Sequence, residues 1–250
     1  MSSGAGRIGV LGGTFDPIHV GHLAVATEGA NALGLHKVLL IPSRTPPHRV
    51  VDPAASVFHR FAMVALAASR DERLVASDIE LVRHGPSYTA DTLRAIQADG
   101  HPGWQIFFLI GADAFAEIAT WREYPAVLNL AQFVVCSRGG TEATSLPARL
   151  PALAARMIPL VRRSPSRPGS LAVVMAPGGP ESGPNTHIFL LDCPTPDTSS
   201  TDIRARARAG RPLAGLVPPE VDSYIRRHGL YVAASGAAPG GRPAAGNLHE

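Results

Sequence analysis

The stretch Arg7-Ile-Gly-Val-Leu-Gly-Gly-Thr-Phe-Asp-Pro-Ile-His-Val-Gly-His22 decides the fold. Up to Gly12 it is a short apolar run that reads as a buried strand ending in glycine. From residue 20 onward Leu23, Ala26, Ala30 and Leu33 recur at helical spacing, and Gly34 supplies a C-terminal stop. Lys37-Val-Leu-Leu-Ile-Pro42 then reads as a second buried strand closed by proline. The alternation continues after a Pro-rich loop at 43–53. It predicts helices over 54–69 and 88–99, one opening at Gly111, and a short one near 124–130. Strands are predicted over 73–77, 105–110, 132–136 and 187–191, and two helices, near 200–209 and 218–227, end the fold. Apolar strands alternating with helices predict an α/β, Rossmann-like, doubly wound parallel sheet with C-terminal helices. Crossovers in such a sheet are right-handed, and ligands bind beyond the C-terminal ends of the strands.

The composition fits one such domain. Of 250 residues, 45% are hydrophobic and 17% charged, enough for a substantial core. With 25 glycines and 23 prolines, part of the chain is expected to be loop. No apolar run approaches the ~18 residues of a membrane span, and residues 1–7 lack a secretory pattern. The two cysteines, Cys136 and Cys193, lie in or beside apolar runs and are expected to be buried free thiols, which suits a cytoplasmic protein. The net charge of +3 is compatible with anionic ligands without choosing among them. Residues 1–232 are expected to form a single domain. It carries a Pro/Gly/Arg-rich insertion at 139–186, with one short helix near 150–156, and a disordered tail follows at 233–250. The insertion leaves self-association into a homo-oligomer open.

Several known signatures fail. Gly4-Ala-Gly-Arg-Ile-Gly9 has the spacing of the dinucleotide glycine fingerprint but precedes the first strand instead of following it. There is no Walker phosphate loop, Cys-x-x-Cys, His-Glu-x-x-His or Gly-x-Ser-x-Gly.

Two segments carry the chemistry. In the first, Gly12 and Gly13 allow a tight turn and close approach to a ligand. Pro17 fixes the chain for helix entry, and Gly21 leaves room for a bulky group. His19 and His22, three apart, can share a face of the first helical turn. A helix N-terminus with free N–H groups attracts anions, and two imidazoles there can donate to phosphate oxygens. A metal site would want further ligands, and Asp16 is the only obvious local one. In the second segment, Thr198-Ser-Ser-Thr-Asp-Ile-Arg204, Ser199 reads as an N-cap with Asp202 three residues on. Ser200 and Thr201 follow at a helix start, and Arg204 can fork onto a phosphate. Ordinary capping with a solvated arginine is the plainer alternative. Two helix starts at sheet ends could grip one polyphosphate from both sides.

The pairing of Gly-Gly-Thr-Phe-Asp-Pro-Ile-His-x-Gly-His with Ser-Ser-Thr-x-Ile-Arg resembles the bacterial nicotinate-nucleotide adenylyltransferases, His-x-Gly-His nucleotidyltransferases. Pro46-Pro-His-Arg49, Ser87-Tyr-Thr-Ala-Asp-Thr-Leu93, Gly111-Ala-Asp-Ala-Phe115 with Trp121, and the ending around Tyr224–Tyr231 are also similar to that family. The likeness covers roughly 7–138 and 187–232. It implies transfer of the adenylyl group of ATP to nicotinate mononucleotide, giving deamido-NAD and pyrophosphate in NAD biosynthesis. It further implies Mg²⁺ bound with the ATP and no dedicated protein metal ligand. The implied catalytic residues are His19, His22 and Arg204. ATP is implied at Gly12, Gly13, Thr14, Phe15, Gly21, His48, Arg49, Gly111, Asp113, Ser200 and Thr201 as well, and the mononucleotide at Tyr88, Thr89, Trp121 and Arg138. No nucleic-acid or membrane partner is implied.

Three alternatives stay open on sequence alone. The same chemistry could serve nicotinamide mononucleotide or phosphopantetheine. The Arg-rich insertion could bind nucleic acid, although the aromatic–basic interleaving of single-strand readers is missing. His19 and His22 could hold a hydrolytic metal.

Overall fold

A computed structural model of the chain describes residues 6–47, 52–138, 140–160, 186–193 and 195–232. Among the described residues, seven strands form one parallel sheet: β1 (Ile8–Gly13), β2 (Lys37–Pro42), β3 (Leu74–Ala76), β4 (Ile106–Gly111), β5 (Gln132–Cys136), β6 (Met157–Leu160) and β7 (Ile188–Leu191). Their spatial order is β3-β2-β1-β4-β5-β7-β6. The helices are α1 (Val20–Leu33), α2 (Val57–Ala68), α3 (Thr89–Ala98), α4 (Ala112–Phe115), α5 (Leu146–Arg149), α6 (Ser200–Arg208) and α7 (Pro219–Arg227).

The period-2 rule divides the strand residues between two cores. On β4, Phe107 and Leu109 join α1 and α2 residues such as Val25, Ala30, Met63 and Val64 on one face. Ile106, Phe108 and Ile110 join Leu93 and Ile96 of α3 on the other. Burial on both faces explains why these strands read as continuous apolar runs. Close helix–sheet packing depends on one glycine: a Cβ at Gly29 of α1 would lie 2.6 Å from Leu109 Cδ2. Gly34 ends α1 in the left-handed region at φ 61°, as the stop signal required.

The strand order reverses between β1 and β4, both of which pair directly. The loops leaving their C-terminal ends diverge there and open a crevice. The segment after β1, the start of α3, Gly111 and the start of α6 all reach this edge, so the sequence motifs share one rim.

The 139–186 region is more structured than expected from its composition. Residues 143–156 form two short 3₁₀ turns flanking α5, where one helix near 150–156 was expected. Met157–Leu160 then adds an unforeseen edge strand beside β7. Four residues including Pro159 hardly read as a strand, yet an edge strand tolerates proline because one side of its ladder has no partner. Arg156 fixes the approach, donating to the carbonyl oxygens of Leu128 (2.7 Å) and Thr186 (3.2 Å) and to Thr186 Oγ1 (2.6 Å). The remainder of the insertion, 161–185, and the tail expected at 233–250 lie outside the described residues. Neither cysteine is in a disulfide and both are buried, and among the described residues no helix is long and apolar enough to cross a membrane.

Arg156→Ala should therefore lower the melting temperature by a few degrees and speed amide exchange across Met157–Leu160. Exchange there equal to that of the parent chain would show that the edge strand does not depend on this anchor.

Candidate active site

The loop leaving β1 is held by its carbonyl groups. Ser43 donates to Gly13 O through its amide (2.9 Å) and hydroxyl (3.1 Å). Arg60 Nη1 donates to Thr14 O at 2.6 Å, Arg204 Nη1 to Asp16 O at 2.7 Å, and Ser200 Oγ to Pro17 O at 2.9 Å. In a planar trans peptide the N–H points opposite to the C=O. Fastening the Gly13 and Thr14 carbonyls inward therefore turns the Thr14 and Phe15 N–H groups outward. A run of outward N–H groups is an anion-binding concavity.

Asp16, 1% exposed, ties this loop to the rest of the rim. Its Oδ2 accepts from Ala54 N (2.8 Å), and its Oδ1 from Ala55 N (3.1 Å) and from the Tyr231 hydroxyl (2.9 Å). Arg204 Nη1 stands 3.8 Å from Oδ2. Burial, followed by the Asp16 charge, raises the Tyr231 hydroxyl pKa well above the ordinary phenol value, so this proton stays in place. Phe15, at φ 49°, adopts a left-handed conformation that costs a bulky residue on the order of 1–3 kcal/mol. Its ring is 1% exposed and meets His22 edge-on with centroids 5.0 Å apart.

The imidazoles of His19 and His22 stack at 3.7 Å. His19 is the N-cap of α1 and accepts the Gly21 N–H at Nδ1 (3.2 Å), while His22 Nδ1 accepts the His19 N–H (3.3 Å). A neutral imidazole that accepts at Nδ1 carries its proton on Nε2. Both rings thus become Nε2–H donors, and His19 Nε2 is buried with no partner among the described residues. Burial, then the charge of Arg138, pushes the His19 pKa down to about 3. Burial, then His19 and Arg138, holds His22 well below the usual histidine range. Both rings are neutral near pH 7.

This geometry corrects parts of the sequence reading. The first N–H groups of α1 are not open to an anion: Val20 N donates to Leu216 O, Gly21 N to His19 Nδ1 and His22 N to His19 O. Donation falls to the side chains and to the preceding loop. The space expected beside Gly21 belongs to His19, since a Cβ there would lie 3.1 Å from the ring and 3.3 Å from Pro196 O. Pro17 stands three residues ahead of the helix and does not open it. Ser199 caps α6 at Asp202 N (3.1 Å), as expected. The Ser200 hydroxyl is committed to Pro17 O, so its available group is the first-turn N–H, shared with Thr201. Arg204 joins the two segments, with Nη2 also reaching Thr201 Oγ1 at 3.2 Å.

The β4 rim brings a further cation to the histidines. Gly111 is covered by Asp113 and Arg138: a Cβ there would lie 2.4 Å from Asp113 Oδ1 and 3.1 Å from Arg138 Cδ. Arg138 acts electrostatically on both imidazoles, so it stands near the histidine pair. Gly12 looks onto the Phe108 ring, which also meets Phe133 at 5.4 Å and the half-buried Trp121 edge-to-face at 6.0 Å. Tyr88 is the N-cap residue of α3 without a side-chain cap bond, and its own N–H is spent on Pro86 O (3.1 Å). The Thr89 N–H heads the helix, and the Tyr88 ring carries the Arg122 guanidinium 4.4 Å from its centroid. His48 and Arg49 lie outside the described residues.

Sequence reasoning missed Ser43, Arg60, Arg122 and Tyr231. Only Arg60 had a local signal, a cation on the otherwise apolar face of α2 beside Met63 and Val64. The others act through contacts 30 or more residues away in the chain.

A family model described as Cytidylyltransferase-like matches residues 10–206. A probable nicotinate-nucleotide adenylyltransferase of Desulfatibacillum aliphaticivorans is 39% identical, over 90% of this chain and 100% of its own length. One of Roseiflexus sp. (strain RS-1) is 40% identical, over 90% of this chain and 97% of its own. A solved Plasmodium falciparum nicotinic acid mononucleotide adenylyltransferase complexed with NaAD shares the fold, with a TM-score of 0.64 and 17% identity. It covers 90% of this chain and 97% of that one.

The lowered histidine pKa values fix a pH dependence. The folded state refuses protons that the unfolded state accepts below about 6.5, so ligand-free stability is complete above that pH and falls as pH drops toward about 3. His19 contributes a slope of up to about 1.4 kcal/mol per pH unit in that window, and His22 acts in the same direction. Urea midpoints should fall accordingly between pH 7 and 5, and less steeply in His19→Asn, which keeps an acceptor for Gly21 N. Equal pH dependence in parent and variant would contradict the assignment.

Proposed function

The chain belongs to the nicotinate-nucleotide adenylyltransferases of the cytidylyltransferase-like family, and from that premise we propose that it transfers the adenylyl group of ATP to nicotinate mononucleotide. The observation that carries this reading is the rim of donors around one crevice. It comprises the outward Thr14 and Phe15 N–H groups, two neutral Nε2–H imidazoles, the start of α6, and the cations Arg138 and Arg204.

The acceptor phosphate already offers a nucleophilic oxygen. It attacks the α-phosphorus in line, the bond to the bridging oxygen of the β-phosphate breaks, and pyrophosphate leaves with that electron pair. No protein nucleophile is needed, so catalysis is alignment and charge stabilisation. His19 and His22 hydrogen-bond to phosphate oxygens, where negative charge accumulates on the α-phosphate and the leaving group. The loop N–H groups and the α6 start hold the triphosphate, and Arg138 and Arg204 supply positive field. His48 and Arg49 belong in this reading to the loop that covers the phosphates. Asp113 meets the ribose in this reading.

Among the described residues, no group of three or more His, Cys, Asp or Glu side chains is placed to hold a metal ion. In this reading Mg²⁺ would be carried on phosphate oxygens and water, where it would neutralise charge on the triphosphate. A metal between His19 and His22 fits poorly, because both rings are set as donors beside a cation. The start of α3 favours an anionic group, with Thr89 N–H as donor for the nicotinate carboxylate and Trp121 offering a flat surface to its ring. The two buried thiols suit a cytoplasmic setting.

Adenylylation followed by pyrophosphate release, with nicotinate and nicotinamide mononucleotides offered separately, tests the proposal. The nicotinate form should be strongly preferred, and His22→Ala should lower kcat by about 10²–10³. Equal use of both would remove the acceptor assignment. No release with either would refute adenylyl transfer to pyridine mononucleotides.

A further inference from the structure

Arg60 is a buried cation in the middle of a helix face that otherwise packs as core. It is 1% exposed, while Met63 and Val64 beside it are fully buried apolar residues. Removing a guanidinium from water costs several kcal/mol, and an apolar residue of similar volume would fill this position more cheaply. What an apolar residue cannot do is bind carbonyl groups. Arg60 donates to three, each from a different part of the rim: Nη1 to Thr14 O (2.6 Å), Nε to Ala55 O (3.2 Å) and Nη2 to Arg44 O (3.4 Å).

Each carbonyl leads to a different function. The Thr14 carbonyl sets the outward Phe15 N–H of the phosphate loop. Ala55 gives its N–H to Asp16, the hub of that loop. Arg44 belongs to the segment after β2, and its N–H donates to Ser87 Oγ at 2.9 Å. The Ser87 N–H in turn donates to Thr45 O at 2.9 Å, immediately ahead of Tyr88 and Thr89 at the start of α3. One planar group with a fixed fork of donors therefore spans the phosphate end and the acceptor end of the crevice.

We propose that Arg60 is a positioning residue that holds the phosphate loop and the acceptor end in register, so that the acceptor oxygen and the α-phosphate meet in line. The proposal rests on the adenylyl-transfer reading above. Arg60 lies beneath the loop and acts through Thr14, Ala55 and Arg44. Its loss should therefore leave the binding of each substrate nearly intact while spoiling their mutual alignment. A misplacement of about 1 Å costs on the order of 10² in rate.

The test compares steady-state kinetics of Arg60→Lys and Arg60→Met with those of the parent and of Met63→Ala, at a temperature well below each melting point. Lysine keeps the charge but cannot span three carbonyls. In both Arg60 variants kcat should fall about 100-fold, with KM for ATP and for nicotinate mononucleotide within about threefold of the parent. Met63→Ala should lose thermal stability and keep its kcat. A kcat within threefold of the parent in Arg60→Lys would overturn the proposal, as would collapse of both Arg60 variants, which would make the residue purely structural. An inactive parent chain would instead refute the adenylyl-transfer reading on which the proposal rests.

Discussion

Everything at the crevice depends on where the carbonyl groups of Gly13, Thr14, Asp16 and Pro17 go. Four donors from three separate parts of the chain, Ser43, Arg60, and Ser200 with Arg204 on α6, take one carbonyl each. A loop free to rotate its peptides would present alternating donors and acceptors to a ligand. Anchoring the acceptors inward leaves the donors facing out, a preorganised anion site made of backbone. Asp16 stabilises the same arrangement from within by accepting from Ala54, Ala55 and Tyr231, which explains how a carboxylate can sit buried beside the proposed polyphosphate site. Its charge is spent on the scaffold.

The histidines follow the same logic. Backbone N–H groups occupy both Nδ1 atoms, so the protons sit on Nε2. Burial and Arg138 keep the rings neutral. A pair of stacked imidazolium ions would repel each other, whereas a neutral pair of donors can stand side by side. Positive potential comes instead from the guanidinium groups of Arg138 and Arg204. Donor geometry and field are thus supplied by different residues. The strain in Phe15 is the local cost of the turn that makes this possible, and burial of its ring offsets it.

The strands and helices that carry the site were legible because their signals are local. Apolar runs gave β1, β2, β4, β5 and β7, Gly34 stopped α1, and Ser199 capped α6 where expected. The edge strand β6 escaped because four residues with a proline lack a period, and its existence depends on β7 and Arg156. At the site, the described residues of the two leading motifs meet through Arg204 and Ser200, but several act differently from their local reading. The α1 N-terminus is closed by Leu216 and His19, contacts that helical spacing cannot reveal. The Ser200 hydroxyl faces Pro17, 183 residues away in the chain. Gly21 makes room for the neighbouring ring and not for a ligand. The contacts with Leu216 and Pro17 are long-range, and no window of sequence contains both partners, whereas the His19–Gly21 contact is local and depends on how the ring folds back over its own helix start.

The most direct test of this account is a ¹⁵N–¹H correlation titration of the labelled protein with a non-hydrolysable ATP analogue. The Thr14 and Phe15 amides and the Nε2–H signals of His19 and His22 should shift together and saturate at one ligand concentration, with the early α1 amides of Val20, Gly21 and His22 changing least. If the α1 amides respond and those of Thr14 and Phe15 do not, the anchored-carbonyl loop is not what receives the triphosphate.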